Sequence, residues 1–148
     1  MYACEKEHFL SVSVSTPKHG GVPQCQLKLT DPHSREQGVG VSGKQIPDSR
    51  YEDIVLAPKA PDRSREHAVE VCGAEPGEYL LTVYEHGDEL YSLSVGVDAR
   101  DFLLENFHSR EGRIRRYRFA FTVRKDEVDL TWLDENGQRR LQIAANDW

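Results

Sequence analysis

Apolar and polar residues alternate through much of this chain. In "FLSVSVS", residues 9–15, Leu10, Val12 and Val14 share one face while Ser11, Ser13 and Ser15 share the other. That is the period-2 pattern of a half-buried strand. "TPKHGGVP" breaks it, and "CQLKLT" resumes it with Cys25, Leu27 and Leu29 on the inward face. "HAVEVC" puts Val69 and Val71 on one face and Cys72 on the opposite one. "GEYLLTVYEHGDELYSLSV", residues 77–95, shows the pattern twice: Tyr79, Leu81 and Val83, then Tyr91, Leu93 and Val95 beyond the polar stretch Glu85–Asp88. Two alternating runs around a short Gly-containing reversal predict a hairpin.

A second hairpin is expected from "IRRYRFAFTV" and "EVDLTWLD", turning at Arg124, Lys125 and Asp126. "ENGQ" leads into a last strand, "RRLQIAA", because Asn-Gly favours tight hairpin turns. "RDFLLENF" fits either one helical turn, through Phe102, Leu103 and Phe107, or a strand of an edge connection. From about residue 31 to 66 regular signal is thin, with Pro32, Pro47, Pro58 and Pro61 and many charges. This segment reads as a long loop that short strands near "GVGV" and "YEDIVLA" can interrupt.

The pattern predicts one all-β domain over residues 1–148, an immunoglobulin-like antiparallel β-sandwich of about eight to ten strands with little helix. Its expected core is Leu27, Leu29, Val69, Val71, Tyr79, Leu81, Val83, Leu93, Val95, Phe119, Phe121, Leu130 and Trp132.

A length of 148 residues suffices for such a core without metals or disulfides. The net charge of −6, with both signs mixed along the chain, argues against a nucleic-acid scaffold. In the densest basic stretch, "REGRIRRYR", alternation sends Tyr117, Phe119 and Phe121 inward and Arg116 and Arg118 outward. No apolar run is long enough to insert in a bilayer, and "HFLSVSVS" is too short and too alternating for a signal peptide. The chain therefore reads as the soluble body of a processed secreted protein or an excised domain. The three cysteines, Cys4, Cys25 and Cys72, show no C-x-x-C spacing. The strand phases oppose a Cys25–Cys72 bridge, since the two Cβ vectors diverge, and structural thiols are expected.

Two landmarks carry a resemblance. "LKLTDPHSREQGVGVSGKQIPDSRYEDI" resembles a Thr-Asp-Pro segment of bacterial secreted proteins that runs into a long Gly-rich loop. "VEVCGAEPGEYLLTVYEHGDELYSLSV" resembles the P-x-x-G-x-Y-x-L-x-V strands of the same proteins. Over residues 25–97 the chain is similar to bacterial pre-peptidase C-terminal domains, extracellular sandwiches appended to enzymes and surface proteins. The resemblance implies an extracellular or periplasmic accessory module without catalysis of its own. It departs from the pattern at Ser34 and Arg35, and again at Val39, Gly40 and Val41, so no ligand role carries over from that loop.

The candidate chemistry is sparse. Six histidines are scattered singly, without the paired spacing of zinc ligands, and no G-x-S-x-G motif or phosphate-binding loop is present. No cofactor is implied. Calcium is the metal with most support: Asp98, Asp101 and Glu105 follow the expected hairpin, and Glu85, Asp88 and Glu89 lie at its turn. Tyr84, Tyr51 and Trp148 are candidate aromatic platforms for a glycan. Arg50, Tyr51, Arg116 and Arg118 are candidate partner contacts, because Arg and aromatic side chains dominate interface energetics. The first role expected is a non-catalytic binding or spacer module contacting a protein or a neighbouring domain. The alternative is a carbohydrate- or calcium-binding module, and a small hydrolase is third, for want of a nucleophile and base.

Overall fold

The computed structural model describes residues 4, 6, 8–15, 25–42, 45–56, 64–88, 90–98, 100–125, 127–133, 140–141 and 145–146. At 53–56, 64–66, 100–106, 124, 127, 132–133, 140–141 and 145–146 it describes backbone only. Sheet A holds β1 (Leu10–Ser15), β4 (Ser49–Leu56), β5 (Ser64–Val71), β7 (Leu90–Val97) and β8 (Arg100–His108), in the order β8-β7-β1-β5-β4. Sheet B holds β2 (Gln26–Thr30), β3 (Glu36–Gly38), β6 (Gly77–Tyr84), β9 (Ile114–Arg124) and β10 (Glu127–Leu133), in the order β10-β9-β6-β2-β3. Two-residue segments, β11 (Arg140–Leu141) beside β10 and β12 (Ala145–Asn146) beside β8, extend one edge of each sheet. All strand pairings are antiparallel, and no helix occurs among the described residues, so the domain is an all-β sandwich.

The inward phases follow the alternation. Leu27, Leu29, Val69, Val71, Tyr79, Leu81, Val83, Leu93, Val95, Phe119, Phe121 and Leu130 are all buried. The side chain of Trp132 lies outside the described residues. Tyr79 stacks on Phe119 and Phe121 at centroid distances of 5.3 and 5.8 Å.

Two expectations need correction, and two that stood open are settled. Residues 77–95 are not a hairpin: β6 pairs with β2 and β9 in sheet B, whereas β7 pairs with β1 and β8 in sheet A. The connection is an arch that crosses between the sheets. Both runs alternate because both face the same core, and alternation fixes a face without fixing a sheet. Of the two readings of "RDFLLENF", the strand holds: it is strand throughout, paired to β7 with a register shift between Ser92 and Ser94. The second hairpin turns more tightly than expected, since Arg124 is the last residue of β9 and pairs with Glu127. The expected loop at 31–66 is interrupted where the pattern allowed, by β3 next to "GVGV" and by the eight-residue β4 at "YEDIVLA", and β5 begins within its last residues.

A disulfide joins Cys4 to Cys72 across 68 positions of sequence, with Cα atoms 5.5 Å apart. Cys72, facing away from Val69 and Val71 as expected, thus meets the N-terminal segment. That segment is also held by a hydrogen bond from Ala74 N to the His8 carbonyl, 2.8 Å. Cys25 is a buried thiol, as its strand phase requires.

Candidate functional site

The arch Glu85–Asp88 and the β8–β9 turn, Ser109–Arg113, lie side by side at one end of the sandwich. Their backbones are laced together: Glu85 N donates to the Arg113 carbonyl at 2.8 Å, and Gly112 N donates to the Glu85 carbonyl at 3.1 Å. Ser109 Oγ donates to the carbonyls of His86 and Gly87 at 3.3 and 3.1 Å. Gly112, at φ +80, supplies the left-handed residue this turn needs, a conformation in which a Cβ is costly.

The side chain of Glu85 organises this end. It is 1% exposed. Its Oε1 accepts from Arg110 N at 3.0 Å and Arg113 Nε at 2.5 Å, and its Oε2 accepts from the Tyr91 hydroxyl at 2.5 Å. Arg115 Nε stands 2.8 Å from Oε2, an ion pair in charge and distance, although its N–H is not aimed well enough for a hydrogen bond. Arg115 is oriented instead by a 3.2 Å bond to the Tyr117 hydroxyl and by the Phe107 ring, 5.6 Å from its guanidinium. Burial favours the neutral form of Glu85, but the bonds from Arg113, Tyr91 and Arg110 and the Arg115 charge outweigh it and hold the carboxyl below its ordinary range. Burial, together with the bond to Glu85, pushes the Tyr91 hydroxyl up, so it stays a donor.

The sequence pattern placed Glu85 in the polar turn of a hairpin, among the acidic residues considered for calcium, whereas its side chain is buried under the arch. The missed signal lies in "REGRIRRYR". Arg113 and Arg115 share parity with Tyr117, Phe119 and Phe121, so both sit on the core-facing phase. Arginine there requires a buried anionic partner.

On the outer face of sheet B, beside this end, lies a groove of about 590 Å³. Its floor is one row of the sheet, Gln26, Tyr84 and Ile114, which are consecutive partners across β2, β6 and β9. One wall is Val39–Ser42, folded over the sheet after β3; the other is His86, Gly112 and Arg113. The first wall is pinned by Val39 N donating to the Leu27 carbonyl at 2.8 Å and Ile46 N donating to the Glu36 carbonyl at 3.1 Å. Gly38 makes that close approach possible: at φ +141, a Cβ would overlap the Leu27 carbonyl oxygen and lie 2.6 Å from Lys28 Cα. Lys28, on the next row, pairs with Glu36 at 3.1 Å. The Glu36 bond holds its ammonium above the usual range, against the cost of burial and with help from the Tyr84 hydroxyl.

The candidate contact residues do not converge. Arg50 lies on the outer face of sheet A, between Glu52 and Glu70 at 3.0 and 2.9 Å. Tyr51 turns inward, packed against the core, with its hydroxyl accepting from Leu27 N at 3.5 Å. Arg116 and Arg118 project outward from sheet B on the far side of the sandwich, and both are exposed. Arg116 is on the Lys28 row, next to the groove floor, and Arg118 stands 3.8 Å from Glu78.

Asp98 caps the end of β7, accepting from Phe9 N at 3.0 Å and contacting His8 Nδ1 at 3.2 Å. The side chains of Asp101 and Glu105 are outside the described residues. Among those described, no three His, Cys, Asp or Glu side chains converge as a metal site requires, and no helix is long and apolar enough to cross a membrane. Of the aromatic candidates, Tyr84 lines the groove and Trp148 is outside the described residues. No family model, curated protein or solved structure matches the chain.

Proposed function

We propose that this chain is a non-catalytic binding module of a bacterial secreted or envelope protein, with the outer-face groove of sheet B as its binding surface. The observation that carries this reading is how the groove is built. Its floor is a sheet row, one wall is a loop pinned by backbone bonds, and the other is an ion-locked turn. Ligand sites are commonly preformed concavities of about 300–1,000 Å³ held on rigid elements. The pinned wall belongs to the 31–66 segment, and loops positioned by sheets commonly carry contacts.

Glu85 suits a brace better than a general base, since three hydrogen-bond donors and a second guanidinium already surround its oxygens. The Cys4–Cys72 bridge supports an oxidising compartment, extracellular or periplasmic. The resemblance of residues 25–97 to pre-peptidase C-terminal domains supports an accessory role beside a neighbouring domain.

The test is a fragment screen read by amide chemical shifts in solution. Hits that perturb residues 39–42, 84–86 and 112–114 as one cluster are expected. Hits scattered over the surface, or confined to sheet A, would overturn the reading.

A further inference from the structure

We infer that the groove takes a neutral saccharide, with one sugar ring laid against Tyr84. This rests on the groove being the binding surface and adds the class of ligand. The first ground is charge. The lysine, arginine and histidine side chains that line the groove already face acidic partners: Lys28 faces Glu36 at 3.1 Å, Arg113 faces Glu85 at 2.5 Å, and His86 faces Glu111 at 3.7 Å. A phosphate or carboxylate ligand seated among these lining residues would have to break one of the pairs, because the exposed Arg116 lies on the neighbouring row, outside the lining.

The second ground is the mixture of surfaces. Tyr84 and Ile114 adjoin in one row of the floor, Ile114 is 45% exposed, and Val39 and Val41 stand above them. Polar groups surround this apolar patch: the Gln26 amide, the Ser42 hydroxyl and the Lys28–Glu36 pair. A pyranose has matching surfaces, with axial C–H groups forming an apolar face and equatorial hydroxyls around the edge that both donate and accept. A tyrosine offers an apolar plate at little entropic cost, and amides and carboxylates satisfy hydroxyls directly or through water.

The third ground is access along the groove. Gly40 and Gly112, where an added Cβ would meet open space, leave both walls low at these points. The groove therefore accepts a residue within a longer chain as readily as a chain end.

The experiment titrates the intact protein with neutral hexasaccharides of glucose, xylose, mannose and N-acetylglucosamine, with oligogalacturonate and with mixed peptide libraries, all at millimolar concentration. Amide shifts and calorimetry are the readouts. At least one neutral saccharide is expected to bind weakly and to shift residues 39–42, 84–86 and 112–114. Tyr84→Ala should weaken that binding about tenfold or more, and Tyr84→Phe, which keeps the plate, should retain most of it. Thermal unfolding of each variant separates lost binding from lost fold, and Gln26→Ala provides a second groove variant if Tyr84→Ala does not fold. If none of the neutral saccharides binds, or if binding survives Tyr84→Ala in a folded protein, the inference is wrong. Groove shifts produced only by peptides or by oligogalacturonate would also overturn the saccharide assignment, while leaving the groove as the binding surface.

Discussion

Replacing Glu85 with glutamine tests the organisation of the arch end with almost no change in shape. The new side chain keeps a carbonyl oxygen for Arg110 N and Arg113 Nε, but turns an NH2 group toward the Tyr91 hydroxyl and Arg115. Tyr91 can rotate to accept from it, whereas Arg115 cannot. The net change is the loss of both ion pairs, which leaves two guanidinium groups without their anion and the remaining hydrogen bonds without charge assistance from the carboxylate. Breaking a fully buried pair costs about 3–5 kcal/mol, and an unmade charge-assisted bond about 1.5–3 kcal/mol. Arg113 and Arg115 retain 32% and 21% exposure, so water recovers part of the loss. We expect a cost of about 2–3 kcal/mol at pH 7, measured by urea unfolding.

The pH dependence has a definite sign. Glu85 is held below its ordinary 4.5, so its contribution is fully present above that pH and is lost as pH falls through the lowered folded value. The gap between wild type and Glu85→Gln should therefore be constant near neutrality and should close in acid. A cost under about 0.5 kcal/mol, the range of surface substitutions, or a gap that widens in acid, would refute the reasoning.

Glu70 provides the opposite case. Burial raises its carboxyl, and Glu52 adds to this against the pull of Arg50, so Glu70→Gln should match or exceed wild-type stability at pH 7, with the advantage fading in acid. Leu81, fully buried, should cost about 2–5 kcal/mol as Leu81→Ala, measured by the same unfolding assay. Reducing the Cys4–Cys72 bridge, which spans 68 positions, should cost up to about 4 kcal/mol of chain-entropy stabilisation, seen as a lower melting temperature in reductant. Cys25 should react with a thiol reagent only after denaturation, checked by mass spectrometry.

Much of the fold was legible in the sequence because strand phase is a local property. Leu27 with Leu29, Tyr79 with Leu81, and Phe119 with Phe121 declare their inward face through neighbours two residues away. Pairing is not local. Nothing within residues 77–95 reveals that Tyr79 and Tyr91 stand in opposite sheets, because both are equally buried in one shared core. The disulfide was hidden for the same reason. Leu10 pairs with Val71, which carries the segment before β1 toward Cys72, and that register depends on a contact about sixty residues long. The groove was legible only in pieces. Tyr84 and residues 39–41 were each singled out, but β2 and β3 must pair before they meet. Glu85 looked like an ordinary turn residue until the two inward arginines were set against it.

The central claim is that a buried carboxylate locks the arch and the turn into a frame that carries the groove. Hydrogen–deuterium exchange tests this most directly, at the amides of Glu85, Arg110 and Gly112, which close the lattice around that side chain. The account predicts that these loop amides exchange as slowly as those of β6 and β9 in the wild type. In Glu85→Gln they should accelerate about tenfold or more while the strands change little. Exchange of all three at the rate of an exposed loop in the wild type would contradict it.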